Sequence, residues 1–313
     1  MKILLTSTSF YDTPGAHKEL LYSKNFEIDY LPGPLRDKML IPIIANYDGI
    51  ICGDDEINEG VIETGRRGNL KVISKYGVGL DKIDLKAAKK YNIPVTNCIG
   101  VNQVSVAEHT FALILAFYKN ICLENQLTKN GKWERLIGHD LNGKRMGIVG
   151  LGRIGKEIAF RAKSFGLILF AFDTVIDDDF VALNNIRICS SIDELIKSSD
   201  IISLNLPLTS ETQNIISLDR IKKIFNTGSL LVNTARAGLV DLEAVLYGLD
   251  NKILAGYLTD VLEEEPMKRD HPFTKYENVI ITPHIGSRTY ENVERQGIMA
   301  VNNLVNYLKL SVR

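Results

Sequence analysis

Short apolar runs alternate with segments of helical periodicity along the whole chain. The runs include KILLTST at the start, YDGIICG and LKVISKYG within the first hundred residues, and RMGIVGLG, DIISLNLP and NVIITPH further on. Strands that alternate with helices form parallel sheets in which the helices are the crossover connections. The pattern therefore predicts an α/β protein whose first strand lies within MKILLTSTSF.

The runs fall into two groups, which predict two domains. Residues from about 145 to 285 hold six runs in close succession, the number expected of a doubly wound Rossmann sheet that binds a dinucleotide. The first hundred residues predict a smaller, flavodoxin-like parallel sheet that would bind the substrate. We expect a discontinuous substrate domain, 1–98 with 288–313, and a cofactor domain, 99–287.

Two helices complete this prediction. Ser105 and Glu108 have the S-x-x-E spacing of a capping box, which predicts the start of a long helix that joins the domains. The last helical pattern, YENVERQGIMAVNNLVNYL, has no strand after it. We expect it to return and pack on the first domain.

Composition and charge exclude several classes of protein. The 313 residues are 45% hydrophobic, and 37 Lys and Arg stand against 38 Asp and Glu, so no overall field favours nucleic acid or an anionic membrane. The longest apolar run, FALILAF, is far below the roughly 18 residues of a membrane span.

The four cysteines lack metal-ligand or disulfide spacing and predict reduced, mostly buried thiols. With no signal-peptide pattern, we expect a cytoplasmic protein.

A glycine motif predicts the cofactor site. Gly150, Gly152 and Gly155 form G-x-G-x-x-G after one predicted strand, and the next strand ends at Asp173, 18 residues beyond Gly155. The glycines allow a tight turn, close approach of a pyrophosphate and close packing of the following helix. The carboxylate of Asp173 would accept hydrogen bonds from ribose hydroxyls and repel the extra phosphate of NADP. NAD is the predicted cofactor.

Dinucleotide chemistry on an alcohol needs a group that moves a proton near neutral pH, which favours histidine. His17 and His139 lie in polar segments where we expect solvated rings, and His271 lies in a charged turn. His109, within the long helix, is typical of a core or interface histidine. His284 directly follows a buried strand, at the sheet edge where α/β proteins bind ligands.

Charged residues follow the ends of two further predicted strands. Arg236 follows LLVNTA, and Asp260 and Glu265 follow the strand in GYLTDVLEEEP. An arginine can hold a carboxylate through two hydrogen bonds, and a glutamate beside a histidine orients the ring and favours its protonated form. Together with His284, these residues form a candidate catalytic set.

The chain resembles the D-isomer-specific 2-hydroxyacid dehydrogenases, and within them the 3-phosphoglycerate dehydrogenase branch. The motifs that carry the resemblance cover nearly the whole chain: YGVGLDKIDLKAA, VSVAEHT, GIVGLGRIG, LPLTSETQNII, VNTARAGLVD, DVLEEEP and TPHIGS. It implies an NAD-dependent enzyme that interconverts D-2-hydroxy acids and 2-keto acids, works as a homodimer or a dimer of dimers, and is joined through the long-helix region.

The resemblance also implies roles for individual residues. It makes Arg236, Glu265 and His284 catalytic, and it assigns the substrate to Lys75, Tyr76, the Gly77, Val78 and Gly79 backbone, and Arg135. Further residues would line the NAD groove beside the glycines and Asp173: Arg153, Ile154, Pro207, Thr212, Thr234, Ala235, Asp260 and Gly286. It implies no metal.

Some features depart from the family pattern or leave the substrate open. Ala237 replaces the glycine that the family usually has after the arginine, and the YLT triplet at 257–259 is bulkier than usual. Both departures concern the fine positioning of the site residues and not the chemistry. Lys75 and Arg135 favour 3-phosphohydroxypyruvate, and with it serine biosynthesis, whereas the acidic GDDE at 53–56 opposes a phosphate. The alternatives are a glyoxylate or hydroxypyruvate reductase and a non-enzymatic, corepressor-like dinucleotide sensor. With the sequence ending at Arg313, we expect no regulatory domain.

Overall fold

The structure, a computed structural model, describes residues 1–310 and divides into two compact units. The first unit contains Met1–Asn102 and the segment that begins at Arg288, and the second contains Gln103–Ser287. The predicted boundaries fell after Cys98 and before Arg288, and residues 311–313 of the predicted substrate domain lie outside the described residues. The assignment of the two units to substrate and cofactor stays a prediction.

The first unit is a five-stranded parallel sheet in the order β2-β1-β3-β4-β5, the flavodoxin-like order. Its strands are β1 (Lys2–Leu5), β2 (Glu27–Tyr30), β3 (Gly49–Cys52), β4 (Val72–Lys75) and β5 (Val95–Thr96). Its helices are α1 (Thr8–Asp12), α2 (Ala16–Tyr22), α3 (Asp37–Leu40), α4 (Glu59–Arg67), α5 (Leu85–Lys90) and α13 (Tyr290–Leu310), with a 3₁₀ turn at Ile44–Asn46.

Alternating side chains of these strands build a core on each face of the sheet. Leu4 packs with the helices α4 and α5 on one face, while Ile3 and Leu5 pack on the other face with Ala300 and Leu304 of α13. Helix α13 therefore belongs to the same unit as the first hundred residues, although nearly 200 residues separate them in sequence.

The second unit is a seven-stranded parallel sheet in the order β12-β11-β10-β9-β6-β7-β8. Its strands are β6 (Arg145–Val149), β7 (Ile168–Phe172), β8 (Arg187–Ile188), β9 (Ile201–Leu204), β10 (Ser229–Asn233), β11 (Leu254–Thr259) and β12 (Val279–Ile281). Its helices are α6 (Gln103–Tyr118), α7 (Ile121–Lys129), α8 (Arg153–Ser164), α9 (Asp178–Asn184), α10 (Ile192–Lys197), α11 (Leu218–Lys223) and α12 (Leu242–Asp250), with 3₁₀ turns at Ala237–Leu239 and Pro272–Lys275.

The strand order of the second unit is that of a doubly wound dinucleotide-binding sheet. Helices α6 and α8 cover one face through Phe111 and Ile158, and α10 and α12 cover the other through Leu195 and Val245. Because both faces are covered, its inner strands are continuous apolar runs, which is why the sequence shows them clearly. The predicted α/β fold with two parallel sheets is confirmed.

Two expectations about local structure were wrong. Helix α6 begins at Gln103, so Ser105 lies inside its first turn instead of at its cap, and Glu108 contacts Arg161 at 3.2 Å. The second sheet has seven strands where six were expected, because β8 is an edge strand of two residues. The predicted long helix is α6, and α7 follows it after a bend of 60°.

The expectation of a solvated His17 ring was also wrong, because the side chain is fully buried. Its Nε2 lies 3.0 Å from the carbonyl oxygen of Phe10, and the two rings meet edge to face. Gly297 on α13 makes this possible, since a Cβ there would lie 2.6 Å from the Cβ of His17. A polar sequence context did not reveal this packing, which depends on a helix 280 residues away.

The cysteines are free thiols, as predicted, with Cys52, Cys98 and Cys189 buried and Cys122 exposed. Burial raises the pKa of Cys98 to about 11 and that of Cys52 further, which keeps both thiols protonated at neutral pH. The expected cytoplasmic location stays a prediction.

Within residues 1–310, no single helix is long and apolar enough to cross a membrane. Helices α6 and α7 meet the length and composition criteria only as a bent pair.

Candidate active site

Three neighbouring strands of the second unit end at the same level. The backbone register pairs Asn233 of β10 with Thr259 of β11, and Thr259 with Ile281 of β12. Arg236 lies three residues past the end of β10, and His284 lies three residues past the end of β12. Asp260 directly follows Thr259, the last residue of β11. The structure therefore places the predicted charged residues in loops along one edge of one sheet.

His284 and Glu265 are in direct contact. The Nδ1 atom of His284 lies 3.0 Å from Oε2 of Glu265, and both side chains are about one-third exposed. The other oxygen of Glu265 accepts from the backbone N–H of Leu262 at 3.0 Å, which fixes the carboxylate. A carboxylate accepts hydrogen bonds, so Nδ1 carries the hydrogen and Nε2 is the nitrogen that can exchange a proton with a ligand.

The turn that carries His284 has an unusual backbone. His284 has φ of +55°, in the left-handed region, which costs a non-glycine residue about 1–2 kcal/mol. Its backbone N–H bonds to the carbonyl oxygen of Thr282 at 3.0 Å, and Thr282 N–H bonds to Thr259 at 3.0 Å. Such a conformation persists only where surrounding contacts hold it.

Asp260 supplies those contacts. Its carboxylate is buried and accepts from the Thr282 hydroxyl at 2.5 Å, the Ile285 N–H at 2.9 Å and the Gly286 N–H at 2.7 Å. Burial opposes the charge, but hydrogen bonds from His109, Thr282 and the two amides outweigh it and hold the pKa of Asp260 below its usual range. Asp260 is therefore a charged anchor for the His284 turn at neutral pH.

Arg236 is held by a buried asparagine that the sequence analysis did not single out. The side-chain amide of Asn233 donates to the carbonyl oxygen of Arg236 at 2.8 Å, and its oxygen accepts from Ala235 N–H at 3.1 Å. The guanidinium of Arg236 donates to the Ala235 carbonyl at 2.8 Å. The loop that presents Arg236 is thus tied to the end of β10.

The glycine motif fits a dinucleotide in its local geometry. Gly150 has φ of +93°, and a Cβ at Gly155 would lie 2.1 Å from the carbonyl oxygen of Gly150. At Gly152, a Cβ would meet nothing within 4 Å, so the space beside its backbone is open. Gly152 precedes the 12-residue helix α8, whose first N–H groups can bind a phosphate.

Asp173 lies beside this loop. Its Oδ2 accepts from Leu151 N–H at 2.6 Å, and its Oδ1 accepts from Val175 N–H at 3.2 Å. The charge therefore sits at the end of β7, next to the glycine turn, as ribose binding and discrimination against NADP require.

The structure also locates the other predicted cofactor residues. Arg153 and Ile154 open α8, and the Thr212 hydroxyl donates to the Pro207 carbonyl oxygen at 2.6 Å. The Thr234 hydroxyl lies 3.0 Å from that of Thr110 on α6. Ala235 shares the Asn233 loop, and Gly286 donates to Asp260, so each lies at the carboxyl edge of the second sheet.

The predicted carboxylate-binding loop, Gly77 to Gly79, lies in the first unit after β4. Gly77 has φ of +145°, its carbonyl oxygen accepts from Cys98 N–H at 2.8 Å, and the Val78 carbonyl accepts from the Asn97 amide at 2.7 Å. The neighbouring Tyr76 ring is buried. The loop is therefore fixed within its own unit.

Lys75 is almost fully buried, and its ammonium is already occupied. Its Nζ donates to the carboxylate of Asp54 at 2.6 Å and to the Gly53 carbonyl at 2.5 Å. Arg135, in contrast, is exposed on the segment after α7 in the second unit. The two basic residues on which the phosphate prediction depended are thus in very different environments.

The departures from the family pattern are accommodated. Ala237 begins a 3₁₀ turn, and Tyr257, Leu258 and Thr259 are all buried. The Thr259 hydroxyl donates to the Val261 carbonyl at 2.7 Å and accepts from Val261 N–H at 3.1 Å. The bulkier strand end therefore holds the loop that leads to Glu265.

Sequence comparison relates the chain to characterised families. The family described as "D-isomer specific 2-hydroxyacid dehydrogenase, NAD binding domain" matches residues 111–286. A glyoxylate reductase of Thermofilum pendens is 38% identical over 283 residues, which cover 88% of this chain and 82% of that one. A D-3-phosphoglycerate dehydrogenase of Archaeoglobus fulgidus is 34% identical over 93% of this chain but 55% of its own length.

A solved structure shows the same fold. The NAD-dependent formate dehydrogenase of Staphylococcus aureus, in complex with NAD, superposes with a TM-score of 0.84 at 29% identity, covering 98% of this chain and 96% of that one. The predicted cofactor, NAD, is thus confirmed by the family match.

The glycine motif yields a paired prediction. Gly152→Ala should fold with an unchanged Tm, because a Cβ there meets no protein atom, yet bind NADH at least about tenfold more weakly, a loss of about 1.4 kcal/mol. Gly155→Ala should instead lower the Tm, because its Cβ would collide with Gly150. Differential scanning fluorimetry and NADH fluorescence titration measure both effects. Unweakened NADH binding by Gly152→Ala would contradict the predicted pyrophosphate site.

Proposed function

The chain belongs to the D-isomer-specific 2-hydroxyacid dehydrogenases, and we propose that the keto acid it reduces is small and carries no phosphate. It is an NAD-dependent oxidoreductase that acts on the CH–OH group of a 2-hydroxy acid. The contact between His284 and Glu265 at the end of β12 supports an acid–base role, and the contact between Lys75 and Asp54 supports the choice of substrate.

His284 is the proposed acid in keto-acid reduction. Its Nδ1–H is held by Glu265, so protonated Nε2 gives its hydrogen to the carbonyl oxygen as the alcohol forms. Bound NADH supplies the hydride to the carbonyl carbon. In the direction of oxidation, neutral Nε2 takes the hydroxyl proton, and the negative charge of Glu265 stabilises the imidazolium that results.

Arg236 is the proposed carboxylate-binding residue of the second unit, and the loop from Gly77 to Gly79 is the predicted substrate-binding loop of the first unit. The guanidinium of Arg236 offers several N–H donors in a plane, which suits a carboxylate and polarises an adjacent carbonyl. The loop offers backbone N–H groups after a strand end, held in place by Asn97 and Cys98.

The Lys75 contacts favour a substrate without phosphate. A phosphate would have to displace Asp54 from Lys75, and the freed carboxylate would repel the incoming anion. The glyoxylate reductase relatives agree with this preference. We therefore favour glyoxylate or hydroxypyruvate as the oxidised substrate.

The phosphorylated substrate is the second candidate. The D-3-phosphoglycerate dehydrogenase relatives and the exposed Arg135 favour 3-phosphohydroxypyruvate, which would place the enzyme in serine biosynthesis. Of the two predicted basic residues, Arg135 would then bind the phosphate, since Lys75 is neutralised within its own unit.

We also propose that the enzyme is a homodimer joined through the segment at 121–137. This segment exposes three large apolar side chains: Ile121 is 56% exposed, Trp133 77% and Ile137 93%. Helix α7 buries none of its residues. A second copy of the same chain would cover these side chains in a symmetric interface.

The acid–base proposal predicts a selective loss of turnover. His284→Ala should lower kcat by roughly 10²–10⁴ while NADH still binds, because only proton transfer is removed. His139→Ala, at an exposed histidine, is the matched control and should keep the wild-type kcat. Steady-state kinetics and NADH titration measure the two quantities, and a near-normal kcat for His284→Ala would contradict the role.

The substrate proposal predicts that wild-type kcat/KM for glyoxylate or hydroxypyruvate exceeds that for 3-phosphohydroxypyruvate at least about tenfold. Asp54→Asn should raise kcat/KM for the phosphorylated compound about 10- to 150-fold, because a charge-assisted bond from Lys75 contributes about 1.5–3 kcal/mol. Glu56→Gln, exposed and two residues away, should change neither value. A wild-type preference for 3-phosphohydroxypyruvate would replace this proposal with the second candidate.

The dimer proposal predicts that charge at the apolar segment separates the subunits. The double variant Trp133→Glu and Ile137→Asp should give the mass of one chain by light scattering, where the wild type gives twice that mass. Leu183→Glu places a charge at a similarly exposed apolar residue of α9 and should leave the mass unchanged. A wild type of one chain, or a dimeric double variant, would refute the proposed interface.

A further inference from the structure

A chain of polar contacts leads from α6 to the turn that carries His284. The Nε2 atom of His109 lies 2.8 Å from the Thr282 hydroxyl oxygen, and that hydroxyl lies 2.5 Å from Oδ1 of Asp260. Asp260 in turn accepts the backbone N–H groups of Ile285 and Gly286, on the other side of His284. These residues all belong to the second unit.

The hydrogens shared by the His109, Thr282 and Asp260 side chains have one consistent arrangement. Ionised Asp260 can only accept, so the single hydrogen of the Thr282 hydroxyl points to it. The Thr282 oxygen must then accept from His109, and Nε2 of His109 must carry a hydrogen. The order of donation is His109 to Thr282 to Asp260, and the same His109 Nε2 also lies 3.4 Å from Oδ1 of Asp260.

Packing around these hydrogen bonds leaves little freedom for the His109 and Asp260 side chains. A Cβ at Gly286 would lie 3.0 Å from Oδ2 of Asp260 and 3.4 Å from Cδ2 of His109, so the turn fits closely against both. The residue after His109, Thr110, meets the Thr234 hydroxyl at the end of β10. One turn of α6 thus contacts the ends of two strands whose loops carry predicted catalytic residues.

We propose that His109 and Thr282 are positioning residues for His284, with Thr282 aligning the Asp260 carboxylate that holds its left-handed turn. The inference rests on the proposed function, in which His284 is the acid–base. His109 does not exchange the proton with the substrate; it donates to Thr282 and keeps the Thr282 hydrogen directed to Asp260.

Replacement of His109 tests this role. His109→Leu should lower kcat about 10- to 100-fold, because a displacement of about 1 Å in a catalytic group has that effect. The Kd for NADH should change much less than kcat, although Asp260 and Gly286 also belong to the predicted NAD groove. His109→Gln, which keeps an N–H donor at a similar reach, should recover most of the lost kcat. An equal loss in both variants would overturn the proposal, since it would indicate a packing role only.

Thr282 offers a second pair of variants with little change in shape. Thr282→Val removes the hydroxyl from a side chain of the same outline, and Thr282→Ser keeps it. Thr282→Val should reproduce the loss of kcat, and Thr282→Ser should retain activity. If Thr282→Val keeps the wild-type kcat, the proposal fails even where His109→Leu does not fold.

A double-mutant cycle separates this proposal from the role of His284 itself. In the His284→Ala background, His109→Leu should cause no further loss of kcat, because it acts through His284. A full additional loss would overturn the positioning role. If His284→Ala alone has no effect, the proposed function fails; if it is impaired but His109→Leu is not, only the positioning proposal fails. In addition, ¹⁵N NMR of the His109 ring should show the Nε2–H form, and an Nδ1–H form would contradict the order of donation.

Discussion

A buried carboxylate needs hydrogen-bond donors, and Asp260 finds them in the turn that follows β12. The same bonds that keep Asp260 charged fix the backbone of a histidine in a left-handed conformation. The parallel register of β10, β11 and β12 brings Asp260 level with that turn. The position of the His284 ring therefore depends on a charge at the end of the neighbouring strand, and Glu265 then fixes which ring nitrogen carries the hydrogen.

A second consequence of the parallel sheets is that carboxylates just past strand ends have a different partner in each unit. In the first unit, the register pairs Cys52, the last residue of β3, with Lys75, the last residue of β4. Asp54 lies two residues past the end of β3, and its carboxylate accepts a hydrogen bond from Lys75. A cation that would attract phosphate is thereby neutralised inside its own unit. In the second unit, the charge of Asp173 sits beside the glycine turn, where it is predicted to favour NAD over NADP. In both units, a carboxylate just past a strand end is the group predicted to select the ligand.

Periodicity predicted most of the fold because buried parallel strands are continuous apolar runs bounded by glycines and caps. The same signal missed β8, which has two exposed residues, and misplaced the start of α6. The motifs indicated Arg236, Glu265, His284 and the glycine loop, since each follows a strand end. What they could not show was partnership across long separations: His17 against Gly297, Lys75 with Asp54, and His109 with Thr282. Asn233 carried a signal, an amide at the end of an apolar run, that was not used.

The stereochemistry of one product is a direct test of NAD-dependent, D-specific reduction of a 2-keto acid. Hydroxypyruvate and NADH are incubated with the purified enzyme, NADH oxidation is followed by absorbance, and the glycerate formed is resolved on a chiral column. We expect D-glycerate in an amount equal to the NADH consumed. L-glycerate, a racemic mixture, or no NADH oxidation with hydroxypyruvate, glyoxylate or 3-phosphohydroxypyruvate would contradict it.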